Sequence, residues 1–247
     1  MARWLIAVAL VLCSCHSSYN VVSIEGGKIP MTAIYDASPD LEAEATLNFY
    51  KQQVDEIMNE PIGSASQTLE SYQPESPLSN LIADIIRLKA AEKTGKSIDM
   101  AVMNMGGIRS ILNQGEITIG DIFQICPFEN KLAVLTMRGE VLNELLQQIA
   151  ALHGEGLSGA QMVISEGGSL ISANIGGKPV DKDKVYNIAT IDYLAEGNDG
   201  MLAFKKADTI TYPENGILRE VFIDYVKDLN KGGIPVDAKI EGRTVCR

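Results

Sequence analysis

Apolar residues along this chain fall into two kinds of pattern, helical repeats and short near-continuous runs, with glycine and proline marking the changes. Ser38-Pro39-Asp40 opens a long helix to about Asn59. Ser76 caps a second helix, with Pro77 in its first turn and Gly95 at its end, and Leu78, Leu81, Ile82 and Ile85 recur on one face. Val141, Leu142, Leu145, Leu146 and Ile149 mark an amphipathic helix, and a last helix spans about 216–229. Strands are expected just after residue 26, near 62–70, at Met100–Met103, over Lys131–Met137, and near 161–165, 169–175 and 185–191. Gly154 to Gly159 reads as a flexible loop. No linker or low-complexity tract divides the chain. The pattern predicts one α+β domain of mixed β-sheets with helices packed outside.

The first residues follow a different rule. Arg3 precedes the apolar run Trp4 to Leu12, which is short of the ~20 residues a membrane-spanning helix needs. Leu12-Cys13-Ser14-Cys15 then reads as a lipobox, with Cys15 the lipid acceptor after the small Ser14. The expected division is a signal peptide over 1–14, a polar tether over 15–26 and a domain over 27–247, exported and lipid-anchored in the cell envelope, facing the periplasm or the surface. A plain secretory peptide cut nearby is the alternative.

Composition adds an exclusion. The chain has 247 residues, 46% hydrophobic and 21% charged, which is an ordinary globular mix with enough apolar material for a sizeable core. Its net charge of −11 argues against a nucleic-acid partner, which requires a basic surface. An anionic ligand must therefore be held by a few local arginines. Cys126 and Cys246 could form a disulfide in an exported chain, or Cys126 could be a free buried thiol. His16 and His153 are the only histidines, so no metal-ligand framework is readable.

The candidate chemistry sits in two stretches about ninety residues apart. Asn104-Met105-Gly106-Gly107-Ile108-Arg109 places an amide and a guanidinium around a diglycine, where a charged ligand can approach the backbone. Tyr193-Leu194-Ala195-Glu196-Gly197-Asn198-Asp199-Gly200 supplies a ring and a carboxylate around another turn. A guanidinium suits phosphate, a ring suits a base, and a carboxylate suits ribose hydroxyls.

These motifs, with Glu75-Ser76-Pro77-Leu78-Ser79-Asn80-Leu81, Cys126-Pro127-Phe128-Glu129-Asn130 and Tyr186-Asn187-Ile188-Ala189-Thr190, resemble in content and order the C-terminal, nucleotide-recognising domain of the 5′-nucleotidase family. The likeness covers the chain from about residue 22 onward. It implies an α-β-β-α layered arrangement and a ligand set. Arg109 would contact phosphate, its planar fork suiting phosphate oxygens. Asn104 and Gly107 would shape the phosphate side. Phe128 and Tyr193 would sandwich the base, Asn130 would touch the base edge or ribose, and Asp199 would accept both ribose hydroxyls. The plain alternatives are a surface ion pair for Arg109, a core position for Phe128 and an Asx-turn for Asp199.

Four departures from the family accompany the likeness. Tyr193 stands where phenylalanine is usual. Asn198 replaces a glycine in the Asp199 turn, at a position asparagine tolerates if φ is positive. Glu129 replaces a small residue and brings negative charge toward the base site. No Lys or Arg occurs between Lys51 and Arg87, so a second phosphate-binding arginine usual before the Pro77 helix is missing.

Full-length family members also carry a metallophosphatase domain whose two metal ions activate water. The resemblance thus implies no cofactor in this chain, with divalent metals expected only in a partner catalytic chain. The leading expectation is the nucleotide-binding half of a split nucleotidase. A free-standing nucleoside or nucleotide binding lipoprotein and an interaction module without a working pocket are the alternatives.

Overall fold

The computed structural model describes residues 20–247. The signal peptide, the lipobox and Cys15 lie outside the described residues. The chain divides at Asn48–Phe49 into two units. In the first, residues 20–48 are exposed throughout and the strand expected after residue 26 is absent; a 3-10 turn, Ala33–Ala37, stands there instead. Ile29 and Met31, just after residue 26, are apolar but exposed and meet no neighbouring strand among the described residues, and a lone strand gains nothing from its apolar side chains. Helix α1, Leu41–Met58, begins where Asp40 Oδ1 accepts the Glu42 and Ala43 amides at 3.0 and 3.1 Å. None of its residues is buried.

The second unit, Phe49–Arg247, holds the core in a mixed α+β fold with three sheets. Strand β1, Pro61–Ala65, is shorter than expected because Ser66 and Leu69 turn away to bond Val236 and Leu112. Helix α2, Pro77–Thr94, forms as its sequence dictates: Ser76 and Ser79 make a capping box, Pro77 occupies the first turn, and Gly95 closes the helix at φ 67°. Its Leu78, Ile82, Ile85 and Ile86 are fully buried, each worth about 1.5–3 kcal/mol relative to exposure.

Beyond α2 come β2, Met100–Met103, β3, Gly115–Thr118, which pairs with β1, and a short helix α3, Ile119–Ile125. Hydrophobic periodicity does not reveal α3. Thr118 and Asp121 form a capping box, and that Thr-x-x-Asp spacing is its available signal. There follow β4, Leu132–Arg138, α4, Gly139–Ala151, β5, Gly156–Ser158, β6, Ala160–Ile164, β7, Leu170–Ile175, β8, Lys178–Pro179, and β9, Val185–Ile191. A one-turn helix α5, Asp192–Ala195, β10, Thr209–Thr211, α6, Leu218–Lys231, and β11, Thr244–Cys246, complete the chain.

The glycine-rich pattern predicts a loop over residues 156–158, but they form the edge strand beside β2, with Ala101 opposite Ser158. Gly156 is there for closeness: a Cβ would lie 2.8 Å from Ser79 O and 3.1 Å from Met103 O. The central sheet runs β10-β4-β9-β2-β5. Consecutive residues of β2 and β4 are buried, so both faces of this sheet are covered. Helix α2 packs on β2, β5 and β9, and α4 touches β4, β9 and β7. The four-stranded sheet runs β11-β6-β7-β8.

Just before α2, the buried Glu75 carboxylate accepts Asn80 Nδ2 and the amides of Glu241 and Arg243 at 2.7, 2.7 and 2.8 Å. That position therefore ties the C-terminal segment to the core. Among the described residues no helix is long and apolar enough to cross a membrane. Cys126 and Cys246 are both free thiols, the first buried and pushed up to about 12 by desolvation.

Candidate functional site

Three chain segments converge at one end of the central sheet because of its register. Strands β2 and β9 are parallel neighbours, with Met100 opposite Ile188, so both end on the same side. Strand β4 runs antiparallel to β9, with Leu132 opposite Ile191, so it begins on that side. Asn104 follows β2, Tyr193 and Asp199 follow β9, and Phe128 and Asn130 precede β4. The Thr190 hydroxyl donates to Val102 O at 2.9 Å and locks the two parallel strands together beneath the site.

A cavity of about 330 Å³ opens there, lined by Asn104, Gly106, Gly107, Arg109, Phe128, Asn130, Tyr193 and Asp199. All seven residues singled out from the sequence as ligand contacts line it. Phe128 is 50% exposed and Tyr193 41%, so neither ring belongs to the core. The alternative of a buried Phe128 is therefore wrong. Arg109 is the one basic lining residue; its backbone amide bonds Ile125 O at 2.9 Å and its Nη1 donates to Gly106 O at 3.1 Å. It makes no ion pair among the described residues.

A hydrogen-bonded relay joins the two stretches across 95 residues. Asn104 Nδ2 donates to Asp199 Oδ2 at 2.7 Å, and the Tyr193 hydroxyl donates to Asp199 Oδ1 at 2.8 Å. The phenol's proton is held above its ordinary range by that bond and by the carboxylate's charge. Asp199 thus accepts side chains from elsewhere, and it is Asp199, not Asn198, that takes the left-handed conformation, at φ 52°. Asn198 instead donates from Nδ2 to Tyr193 O at 2.7 Å and closes the turn. Asn104 is buried, and its Oδ1 has no protein partner. Gly107 accommodates that oxygen, since a Cβ there would stand 2.7 Å from it.

Two residues that sequence reasoning passes over support the site from behind. Glu155, 6% exposed, accepts the Met105 amide through Oε2. Burial, opposed by that bond and assisted by the charge of Asp199, raises its pKa from 4.5 to about 7. Its place in the sequence, between Gly154 and Gly156, carries no signal of burial. Arg219, on α6, pairs with Glu129 at 3.6 Å and donates to Pro127 O at 3.2 Å. Glu129 does not line the cavity, so its charge is directed to Arg219 rather than to the base position. No signal in the sequence points to Arg219.

Among the described residues, no three of His, Cys, Asp or Glu are gathered so as to hold a metal ion. The cavity offers rings, a fixed carboxylate, amides and one guanidinium, a set suited to recognition.

Comparison with known proteins gives a consistent result. The family described as 5′-nucleotidase, C-terminal domain, matches residues 56–206, more than half of the chain. The cell wall protein Lmo0130 of Listeria monocytogenes is 32% identical over 236 residues, covering 85% of this chain and 30% of that protein. A snake venom 5′-nucleotidase from Crotalus adamanteus is 25% identical, over 92% of this chain and 42% of its own length. Among solved structures, the 5′-nucleotidase precursor of Thermus thermophilus superposes with a TM-score of 0.73 at 27% identity, covering 85% of this chain and 44% of that one. The chain spans less than half the length of each.

Proposed function

We propose, from the premise that this chain belongs to the 5′-nucleotidase C-terminal domain family, that its cavity binds a nucleoside or nucleotide. In this reading Phe128 and Tyr193 stack on the base, Asp199 accepts the ribose hydroxyls and Asn130 meets the base edge or ribose. Arg109 swings from Gly106 O to the phosphate, while Asn104 turns its unpaired Oδ1 toward a ligand donor. The observation that carries the reading is the convergence of two exposed rings, a guanidinium and a pinned carboxylate in one cavity of about 330 Å³. The carboxylate retains capacity: two oxygens offer about four acceptor positions, of which Asn104 and Tyr193 use two.

Calorimetry of the purified domain with adenosine, AMP, ATP and UDP-sugars tests this. Adenine nucleosides or nucleotides should bind, and Phe128→Ala should weaken them by about 1–3 kcal/mol through the lost stack. No heat at millimolar ligand would sink the site assignment.

The finer reading is that this domain works with a separate metallophosphatase chain and that the pair performs the hydrolysis. In this reading the metals would belong to the partner. The domain alone should show no phosphatase activity with Mn²⁺, Zn²⁺ or Ca²⁺. Mixed with the metallophosphatase chain of the same organism, it should lower the KM for a nucleotide and leave that for p-nitrophenyl phosphate nearly unchanged, because only the nucleotide reaches both rings. An unchanged nucleotide KM would instead favour a free-standing binder. An exported location, with Cys15 as lipid anchor, is part of the same reading; the cell wall relative supports the location alone.

A further inference from the structure

We infer that Arg219 is a positioning residue for base recognition, setting the loop that carries Phe128 from the first turn of α6; the inference rests on Phe128 being the base-stacking ring. Residues 127–130 bridge α3 and β4 and carry the more exposed of the two rings. Among the described residues, each hydrogen bond this loop makes to the rest of the protein comes from the start of α6. The Leu218 amide donates to Asn130 O at 2.8 Å, and Arg219 Nη1 donates to Pro127 O at 3.2 Å. The ring of Phe128 thus hangs between two fixed carbonyls, one of them held by a side chain.

Arg219 is an unusual residue for a merely structural task. It is 7% exposed, its Nε makes no hydrogen bond, and its nearest carboxylates stand at 3.6 Å, on Glu129, and 3.9 Å, on Glu220. Neither distance gives a tight ion pair, and a buried guanidinium so loosely compensated gains little stability for the fold. What it does have is orientation. Its Cζ lies 4.0 Å from the centroid of the Phe123 ring on α3, so that ring covers one side of the guanidinium while one donor reaches Pro127 and another faces Glu129. The guanidinium is therefore wedged between the helix that precedes the loop and the loop itself. Glu129, whose side chain is 81% exposed, closes the arrangement from the solvent side.

The test compares ligands with and without a base in the whole chain. Arg219→Met keeps the volume and the contact with Phe123 but removes the donor to Pro127. It should weaken adenosine about tenfold and ribose 5-phosphate less than twofold, with an unchanged melting temperature. Arg219→Lys, which restores one donor, should recover part of the loss. Hydrogen exchange of the segment 126–131 should quicken in Arg219→Met even without ligand. If Arg219→Met fails to fold, Glu129→Ala is read instead, with an expected threefold loss for adenosine and none for ribose 5-phosphate. Equal losses for both ligands, or adenosine binding within twofold of wild type in the folded variant read, would overturn the inference. Should wild type bind no adenosine while the loop still exchanges faster in Arg219→Met, the base-site reading fails and the positioning stands; unchanged exchange overturns the positioning as well.

Discussion

Asp199→Ala is expected to weaken adenosine about a hundredfold and to erase the preference for adenosine over 2′,3′-dideoxyadenosine. Four donors bear on this carboxylate's value: Asn104 Nδ2, the Tyr193 hydroxyl and, in the proposed complex, the two ribose hydroxyls. Hydrogen bonds to a charged acceptor contribute about 1.5–3 kcal/mol each, and the two protein donors would be left facing an empty position in the variant. Calorimetry with the two nucleosides reads the effect directly. A variant that still prefers adenosine would show that the ribose is held elsewhere.

The second large effect concerns stability. Glu155 is driven from 4.5 to about 7 chiefly by burial, so the folded state holds its proton more tightly than the unfolded chain does. Stability from this group is fully present below about pH 4.5 and is lost as pH rises through about 7. At pH 8 the buried carboxylate costs on the order of 3 kcal/mol. Glu155→Gln keeps an acceptor for the Met105 amide and removes the titration. It should raise the melting temperature by several degrees at pH 8 and change it little at pH 5. Parallel melting curves for the two proteins across that range would show that Glu155 does not titrate between the folded and unfolded states in the way described.

The contrast between these two residues shows what can be seen in the sequence. Asp199 is legible because its chemistry announces itself: a carboxylate in a glycine-flanked turn downstream of an aromatic residue resembles a known nucleotide-binding motif. Glu155 is not, because nothing in the sequence marks a glutamate between two glycines as buried; burial comes from α2 closing over Gly156. Arg219 is invisible for a related reason. Its role depends on α6 reaching a loop some ninety residues earlier, and no local pattern encodes that contact.

The elements divide the same way. Helix α2 is legible to its caps, since Ser76, Pro77 and Gly95 act within a few residues of themselves. The edge strand β5 is not, because Gly156-Leu157-Ser158 has weak strand composition and is recruited by its pairing with β2. The expected early strand, just after residue 26, fails in the opposite direction: Ile29 and Met31 are apolar but exposed, with no neighbouring strand among the described residues to complete a sheet. The departure at Asn198 is visible in the sequence but its remedy is not, for the left-handed residue is its neighbour.

The parallel ladder of β2 and β9 has a practical consequence for anyone wishing to retarget the cavity. Met100–Met103 and most of Val185–Ile191 are buried and fixed by their pairing, whereas Phe128 and Asn130 line the cavity from beyond the strand ends. A combinatorial library confined to those two positions would vary the base-facing surface while leaving the sheet, the Thr190 lock and the Asn104 to Asp199 bond intact. Selection for new bases could then proceed without a matching selection for solubility. The fold keeps its recognition surface modular, and two codons suffice to begin exploring it.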